Sequence, residues 1–458
     1  LTVAHIGFVT NYPDEPSGVE HLDNLLIGLK KITLPINESH HFFSMLPNMD
    51  EYRGIVKRFG IDLSEEILLA IRDLVAFNEF KPSANWIDAA ITSEIFTKSF
   101  IRNYDAYFTY NNAGSLLQGL EFETLTGMSN SIAISFQLPG RANEHNLRFR
   151  FDHEADLPKR ISVIIGKNGV GKSQTLGRIA RAALDGSLKL SDGDTGNRAI
   201  LNRILAFAPT NEAGTVFPGN RRKRPNIWYK RFSLNRSSSY RKGAGVADSI
   251  VQVARSPNYI GELSRWEIFL GAIATIDNWK QICLPVKHKE NNPIPIVTLN
   301  RGGELSTLEK YAMIDAKKDP VRVIDGTGYP LSSGEISFLR FAAQASLHVE
   351  NGSLLLLDEP ETHLHPNFIS QFVSLLESLL IQTGSAAIIA THSAYFVREV
   401  FRDQVTVLRS NEEGYISANH PILRTFGADI GAISYFVFGE DEPSKLASKV
   451  EDKILILP

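Results

Sequence analysis

The feature that most constrains this chain is a glycine-rich octapeptide, GKNGVGKS, at residues 166–173. It follows the apolar run ISVII, which is typical of a strand buried on both faces, and it precedes a stretch with helical spacing at 176–184. A glycine-rich loop between a buried strand and a helix is the P-loop arrangement, in which backbone N–H groups surround phosphate oxygens. A chance glycine-rich turn is the alternative, and the flanking strand and helix disfavour it.

The P-loop arrangement gives its residues separate roles. The N-terminus of the following helix adds partial positive charge to the phosphate cradle. Lys172 is expected to reach the β- and γ-phosphates, and the Ser173 hydroxyl is expected to bind Mg²⁺. We therefore predict a nucleoside triphosphate and Mg²⁺ as cofactors, held by a cradle of six residues: Asn168, Gly169, Gly171, Lys172, Ser173 and Gln174.

Four short apolar runs without polar alternation predict strands that are buried on both faces, at residues 161–166, 203–208, 354–357 and 386–390. Helical patterns separate these runs, so we predict an α/β fold with a largely parallel central sheet. A length of 458 residues with 43% hydrophobic content allows two or three domains. We predict four segments: a mainly helical region at 1–128, core at 129–210, a basic and helical insertion at 211–325, and further core with a C-terminal docking tail at 326–458.

A second set of chemistry-bearing residues, Asp358 and Glu359, comes directly after the apolar run at 354–357. Ligands bind at the carboxyl edge of parallel strands, so both carboxylates are expected beside the P-loop. Asp358 is placed to hold Mg²⁺, and Glu359 is placed to orient and polarise an attacking water. An apolar run ending in Asp-Glu is common by itself. It indicates an ATPase site here because a P-loop precedes it in the chain.

Two further motifs resemble those of ABC-type ATPases. LSSGE at 331–335 is similar to the signature motif of that family, and THS at 391–393 follows a buried strand as the switch histidine of the family does. The resemblance implies that Ser332 and Gly334 contact the γ-phosphate of ATP held by a second subunit, and that His392 also contacts the γ-phosphate. Taken alone, the same serine is an ordinary helix N-cap, and a lone histidine after a strand is usually structural.

The resemblance implies an ABC-type P-loop ATPase head. In a dimer of such heads there are two ATP sites, and each chain supplies one half of each site. A head-to-tail dimer around two ATP molecules completes both halves, so we expect a homo-oligomer built from such dimers. Lys172, Glu359 and His392 are then the catalytic residues. One element of the family is absent, because no glutamine follows the strand after the P-loop, and Asn211 and Glu212 are the candidates to replace it.

Sequence around these motifs indicates a particular group within the ABC-type ATPases. DEPETHLHP at 358–366 resembles a motif of SMC-like and defence-associated ATPases. The tail at 425–441 and residues 105–121 are similar to PtuA-like ATPases of Septu and retron-linked anti-phage systems. This implies a regulatory ATPase that holds an HNH-type nuclease, joined in retron systems by a reverse transcriptase with its RNA–DNA product. A stand-alone DNA-repair ATPase of the RecF or Rad50 type, acting directly on DNA, is the alternative. His363 and His365 form a pair that could bind a metal, although the motif already accounts for both.

The segment 217–242 carries nine basic residues and no acidic one, with four aromatic residues interleaved: Trp228, Tyr229, Phe232 and Tyr240. Basic side chains neutralise phosphates and aromatic rings stack on bases, so nucleic-acid contact and a solvated loop both remain open. The formal net charge of −3 favours neither nucleic-acid contact nor a solvated loop. A single cysteine, Cys283, and the lack of a long apolar run predict a cytoplasmic protein without a membrane partner.

Overall fold

The computed structural model describes residues 4–8, 42–154, 159–209, 216–220, 225–234, 245–288, 292–411 and 413–438. Its strands are β1 (His5–Phe8), β2 (Phe42–Met45), β3 (Ser131–Gln137), β4 (Glu144–Arg150), β5 (Ile161–Gly166), β6 (Leu190–Asp192), β7 (Arg203–Ala208), β8 (Trp228–Ser233), β9 (Tyr259–Ile260), β10 (Leu263–Ser264), β11 (Ile282–Leu284), β12 (Ile294–Pro295), β13 (Val321–Ile324), β14 (Thr327–Pro330), β15 (Leu354–Asp358), β16 (Ala386–Thr391), β17 (Val405–Ser410) and β18 (Ile416–Asn419).

The α-helices of the described residues are α1 (Met49–Ala70), α2 (Leu74–Phe80), α3 (Ile87–Thr92), α4 (Tyr104–Asn112), α5 (Lys172–Asp185), α6 (Val246–Ala254), α7 (Arg265–Ile273), α8 (Glu304–Met313), α9 (Ser333–His348), α10 (Pro366–Thr383), α11 (Ala394–Arg398) and α12 (Ile430–Phe438). None of them is long and apolar enough to cross a lipid bilayer.

A seven-stranded sheet in the order β18-β17-β5-β16-β15-β7-β8 forms the centre of the molecule. All its strand pairs are parallel except β17 with β18. The four predicted buried strands are β5, β16, β15 and β7, which lie side by side, and every residue of β5, β15 and β16 is buried. The predicted α/β fold with a largely parallel central sheet is therefore confirmed, and the carboxyl ends of these strands meet at one edge.

Alternate residues of the strands feed two hydrophobic layers, because successive side chains of a strand point to opposite faces. Ile164 and Leu356 belong to the layer with α5 and the antiparallel sheet β4-β3-β6. Val163 and Leu357 belong to the opposite layer, with α6, α7, α9 and α10. Each fully buried Val or Leu of this kind stabilises the fold by roughly 1.5–3 kcal/mol relative to an exposed one. The P-loop helix and the helix that starts at the LSSGE motif thus pack on opposite faces of one sheet.

A buried charge network joins the N-terminal region to the core. Arg53 of α1 donates through Nε to Glu123 at 2.8 Å and through Nη2 to Glu350 at 2.8 Å. Glu350 also receives Nη2 of Arg265, from α7, at 3.2 Å. The Asn351 side chain donates to Glu123 at 2.8 Å. Glu350 lies in the loop between α9 and β15. Its ion pairs therefore connect α1, α7 and this loop.

The segment 211–325 contributes both to the central sheet and to its surroundings. β8 is the edge strand beside β7, while α6 and α7 pack against α9. Further along, β11, β12, β13 and β14 form a small antiparallel sheet, and the β13–β14 hairpin leads directly into Leu331. The predicted four-segment division stays a prediction, with β8 belonging to the sheet of the core.

Candidate functional site

Three positions of the P-loop need glycine, because a larger residue would clash with neighbouring backbone or could not adopt the backbone angles. Gly166 ends β5 beside β17, and a Cβ there would lie 2.3 Å from the carbonyl oxygen of Leu408. Gly169 and Gly171 have φ of 80° and 101°, a region that other residues rarely adopt. Gly171 is the N-cap of α5, so the loop delivers its backbone N–H groups to the start of a helix, where anions bind.

Lys172 lies in the bend of this loop and is buried. Its Nζ donates to the carbonyl oxygens of Gly166 at 2.9 Å and Lys167 at 3.1 Å. Burial lowers the pKa of the ammonium, and the carboxylates of Glu359, Glu361 and Asp358 act in the opposite direction. The ammonium is thus held within the loop by neutral carbonyl groups and faces a cluster of negative charge.

Asp358, the last residue of β15, carries the features of a cation ligand. It is 6% exposed, and burial raises the pKa of its carboxyl to about 6, while a hydrogen bond from Ser173 acts to lower it. Its Oδ1 is buried without a hydrogen-bond partner among the described residues. A buried carboxylate oxygen beside a serine hydroxyl fits a hard divalent cation such as Mg²⁺, which takes oxygen ligands from protein and phosphate. The two predicted metal-binding residues therefore lie together.

Glu359 follows Asp358 in a strained conformation. Its φ of 43° lies in the left-handed region, and its N–H donates to the carbonyl oxygen of Ala390 in β16 at 2.8 Å. Its side chain is 33% exposed, with Oε1 3.8 Å from Nδ1 of His392. Strain of this kind clusters at active sites. The predicted catalytic glutamate and the predicted switch histidine thus face each other across the ends of neighbouring strands.

Glu361 is a further residue of the candidate site, and sequence reasoning missed it. Its Oε1 accepts hydrogen bonds from Thr391 Oγ1 at 2.5 Å and from the His392 N–H at 3.0 Å. The same oxygen lies 3.2 Å from His392 Nδ1. The signal was present in the sequence, since Glu361 belongs to the DEPETHLHP motif, but only the fold shows that its carboxylate reaches the end of β16.

The LSSGE motif starts α9 through a capping box. Ser332 Oγ accepts from the Glu335 N–H at 3.3 Å, and Glu335 Oε2 accepts from the Ser332 N–H at 2.9 Å. The N-cap interpretation is therefore confirmed. Ser332 is exposed and Gly334 is buried, so the capping hydroxyl lies at a solvent-exposed helix N-terminus. Its contact with the γ-phosphate of a second subunit stays a prediction.

Other predicted residues lie around the same edge or outside the described residues. Asn168 and Gly169 are exposed in the loop, and Gln174 is exposed in the first turn of α5. Asn211, Glu212 and the side chain of His363 lie outside what the structure describes. In the described part of the chain, no group of three or more His, Cys, Asp or Glu side chains is arranged to hold a metal.

The described part of the basic segment 217–242 serves packing in β8. Phe232 is 7% exposed and stacks on Phe207 with ring centroids 4.9 Å apart, so it is not available to stack on a base. Lys230 Nζ lies 2.7 Å from Nε2 of His348, and Tyr229 donates to the carbonyl oxygen of Pro218 at 3.0 Å. Seven of the nine basic residues and Tyr240 lie outside the described residues.

The mostly parallel sheet, the P-loop at its carboxyl edge and the facing Asp358 and Glu359 define an ABC ATPase-like α/β fold. Residues 327–398, which include LSSGE, DEP and THS, match the family described as "AAA domain, putative AbiEii toxin, Type IV TA system". Among individual proteins, the chain is 39% identical to protein ea59 of Escherichia phage lambda over 109 residues, which are 24% of this chain and 20% of that protein. It is also 39% identical to UvrABC system protein A of Chlamydia muridarum over 70 residues, 15% of this chain and 4% of that protein.

Two solved structures show partial resemblance. cbiO1 from Clostridium perfringens, part of the ABC transporter complex cbiONQ, aligns over 72% of this chain and 96% of its own, at 15% identity and a TM-score of 0.32. UvrA2 from Deinococcus radiodurans aligns over 68% of this chain and 40% of its own, at 14% identity and a TM-score of 0.35. The sequence matches, with the P-loop and sheet order of the chain itself, support a P-loop ATPase of the AAA/ABC type. The matched residues cover at most a fifth of the length of these two relatives.

Proposed function

We propose that this protein binds ATP with Mg²⁺ and hydrolyses it slowly, as a regulatory ATPase. The observation that carries the proposal is the meeting of five groups at the carboxyl edge of one parallel sheet: Lys172, Ser173, Asp358, Glu359 and His392. Phosphoryl transfer is achieved mainly by positioning and by stabilising charge, which is what a cradle of N–H groups, an ammonium and a divalent cation provide.

In this proposal each group has one task. Loop N–H groups and Lys172 hold the β- and γ-phosphates, and Ser173 with Asp358 holds Mg²⁺, which neutralises charge on the phosphates when bound. Glu359 orients the attacking water from the end of β15, and His392 contacts the γ-phosphate from the end of β16. Burial of Lys172 and Asp358 lowers the local dielectric, which strengthens each of these interactions.

The same site supports a dimer as the active unit. Ser332 is exposed at the N-terminus of α9, on the face of the sheet opposite α5, while the other groups surround the P-loop. A second copy placed head to tail brings its Ser332 and Gly334 to the γ-phosphate of the first, and the reverse contact follows by symmetry. ATP then joins the two copies, and its hydrolysis removes the γ-phosphate contacts, so the dimer is a ligand-biased switch.

We propose further that the switch controls a partner, an HNH-type nuclease of an anti-phage complex, with a reverse transcriptase and RNA–DNA as a third component. Support comes from the resemblance of 425–441 and from exposed apolar side chains in and before α12. Phe426 is 55% exposed and Tyr435 is 54% exposed, and exposed aromatic surface of this kind suits a protein partner. A cytoplasmic location follows from the single buried cysteine.

The second candidate is a stand-alone DNA-repair ATPase of the RecF or Rad50 type, acting directly on DNA. The observation that favours it is the run of nine basic residues without an acidic one at 217–242. Stimulation of hydrolysis by DNA, with an affinity that falls as salt rises, separates this candidate from the first.

The experiment is to compare the wild-type protein with Glu359→Gln by sedimentation and by phosphate release, with and without MgATP. We expect the variant to bind ATP, to stop hydrolysing it and to accumulate as a dimer. Lys172→Ala is the control, and it should remain monomeric at the same ATP concentration. A Glu359→Gln protein whose association is unchanged by ATP contradicts the switch. Native mass spectrometry after co-expression with the neighbouring genes then shows whether a nuclease is bound.

A further inference from the structure

The switch histidine is held by a carboxylate that the proposed catalytic set does not include. Glu361 stands in the short helical turn Pro360–His363, directly after β15, while His392 stands after β16. The two strands are adjacent and parallel, with Asp358 in register with Ala390. One side chain from the end of one strand therefore reaches across to fix the end of the next.

Two hydrogen-bond donors and one ring nitrogen converge on a single oxygen of this carboxylate. Thr391 Oγ1, the His392 N–H and His392 Nδ1 lie 2.5, 3.0 and 3.2 Å from Glu361 Oε1. The Thr391 hydroxyl in turn accepts from the Ser393 N–H at 2.9 Å. The contacts thus order three consecutive residues, 391–393, including the ring of the histidine.

Glu361 is better placed for this task than Glu359. Its side chain is 8% exposed against 33% for Glu359, and its oxygen lies closer to Nδ1, at 3.2 Å against 3.8 Å. Its second oxygen, Oε2, is buried without a hydrogen-bond partner among the described residues. A half-satisfied buried carboxylate costs stability, so its position is not explained by stability of the fold.

We propose that Glu361 is a positioning residue that acts through His392, a proposal that rests on the proposed ATPase function. With Nδ1 3.2 Å from Glu361 Oε1, a proton on Nδ1 is favoured and the ring is held in one orientation and one tautomer. Nε2 is then the nitrogen that accepts a hydrogen bond from the attacking water, or that donates to the γ-phosphate once it is itself protonated.

The kinetic test is a double-mutant cycle of Glu361→Gln and His392→Ala in the full chain, with MgATP as substrate. We expect Glu361→Gln to lower kcat about tenfold, an effect within the range of coupled pairs, with KM nearly unchanged. In the His392→Ala background it should have no further effect. Glu399→Gln, a carboxylate seven residues beyond His392 whose partner is Ser370, is the matched control and should leave both constants unchanged.

A second readout needs no ATP. Ring ¹⁵N chemical shifts of His392 in nucleotide-free protein, at a pH where the ring is neutral, should show the Nδ1–H tautomer in the wild type and a mixture in Glu361→Ala. Multiplicative kinetic effects in the cycle, or a tautomer that Glu361→Ala leaves unchanged, overturn the proposal. A wild-type protein that hydrolyses no ATP but shows the expected tautomer shift refutes the proposed function and leaves the positioning role standing.

Discussion

Nη2 of Arg53 lies 2.8 Å from Oε1 of Glu350, and this buried pair links the first described helix of the N-terminal region to the loop that enters β15. Arg265 approaches the other oxygen of the same carboxylate from α7. Two guanidinium groups around one carboxylate, with Glu123 beside them, satisfy charges that would otherwise be costly to bury. The network holds together segments that are far apart in the chain.

Removal of one partner of this network is expected to destabilise the fold strongly. Arg53→Met leaves Glu350 and Glu123 buried with fewer partners, at a cost of about 3–5 kcal/mol. Lys98→Met is the matched control, because Lys98 pairs with Glu94 on the surface, where such a pair is worth about 0–1 kcal/mol. Thermal unfolding of both variants checks the difference, and equal melting temperatures contradict it.

Stability should fall in mild acid because of His348. Burial lowers its pKa to about 3, with Lys230 acting in the same direction, against an ordinary value of 6.5. The unfolded chain therefore binds a proton that the folded chain does not, so stability is full above pH 6.5 and falls by ~1.4 kcal/mol per pH unit below it. His348→Gln should flatten the pH dependence of the melting temperature between pH 6.5 and 5. An unchanged slope in the variant contradicts the assignment.

Ser332 can be tested for two roles at once. Ser332→Ala removes an N-cap worth about 1 kcal/mol and, in the proposed dimer, a contact to the γ-phosphate of the second subunit. Ser264→Ala removes the equivalent capping box of α7 and nothing from the site. Both variants should lose similar stability, but only Ser332→Ala should lose ATP-dependent dimerisation in sedimentation. If both variants still dimerise with ATP, Ser332 acts only as a helix cap.

Gly166→Ala should damage the P-loop through backbone crowding. The new Cβ would meet the Leu408 carbonyl oxygen at 2.3 Å, so β5 and β17 must move apart at the point where the loop begins. We expect a cost of about 1–3 kcal/mol, as for other overpacked sites, and weaker binding of ATP. Gly303→Ala, which meets nothing within 4 Å, is the control. Calorimetric titration with ATP in both variants gives the comparison.

The sequence predicted the centre of the molecule better than its edges. β5, β7, β15 and β16 were predictable because strands buried on both faces leave uninterrupted apolar runs. Apolar residues at helical spacing run through 64–80, but the structure interrupts the helix at residues 71–73, where the buried Asp73 accepts from Tyr52 and caps α2. That break depends on a tertiary contact, so local periodicity does not contain it.

The site shows the same division. Lys172, Ser173, Asp358 and Glu359 were predictable because each is fixed by the strand or helix next to it in the chain. Glu361 was missed because its role depends on the pairing of β15 with β16, and no spacing shows which oxygen reaches which ring. The aromatic and basic side chains of β8 gave a pattern that suits nucleic acid, yet Phe232 and Lys230 pack against the sheet and His348.

α9 runs from the exposed Ser332 at one end to His348 at the other, directly before Glu350. Its 16 residues span about 24 Å at 1.5 Å per residue. His348 at its far end lies beside Lys230, and the loop that follows carries Glu350, the partner of Arg53 and Arg265. In the proposed dimer, one continuous helix therefore connects the contact at Ser332 with the charge network that holds the N-terminal region.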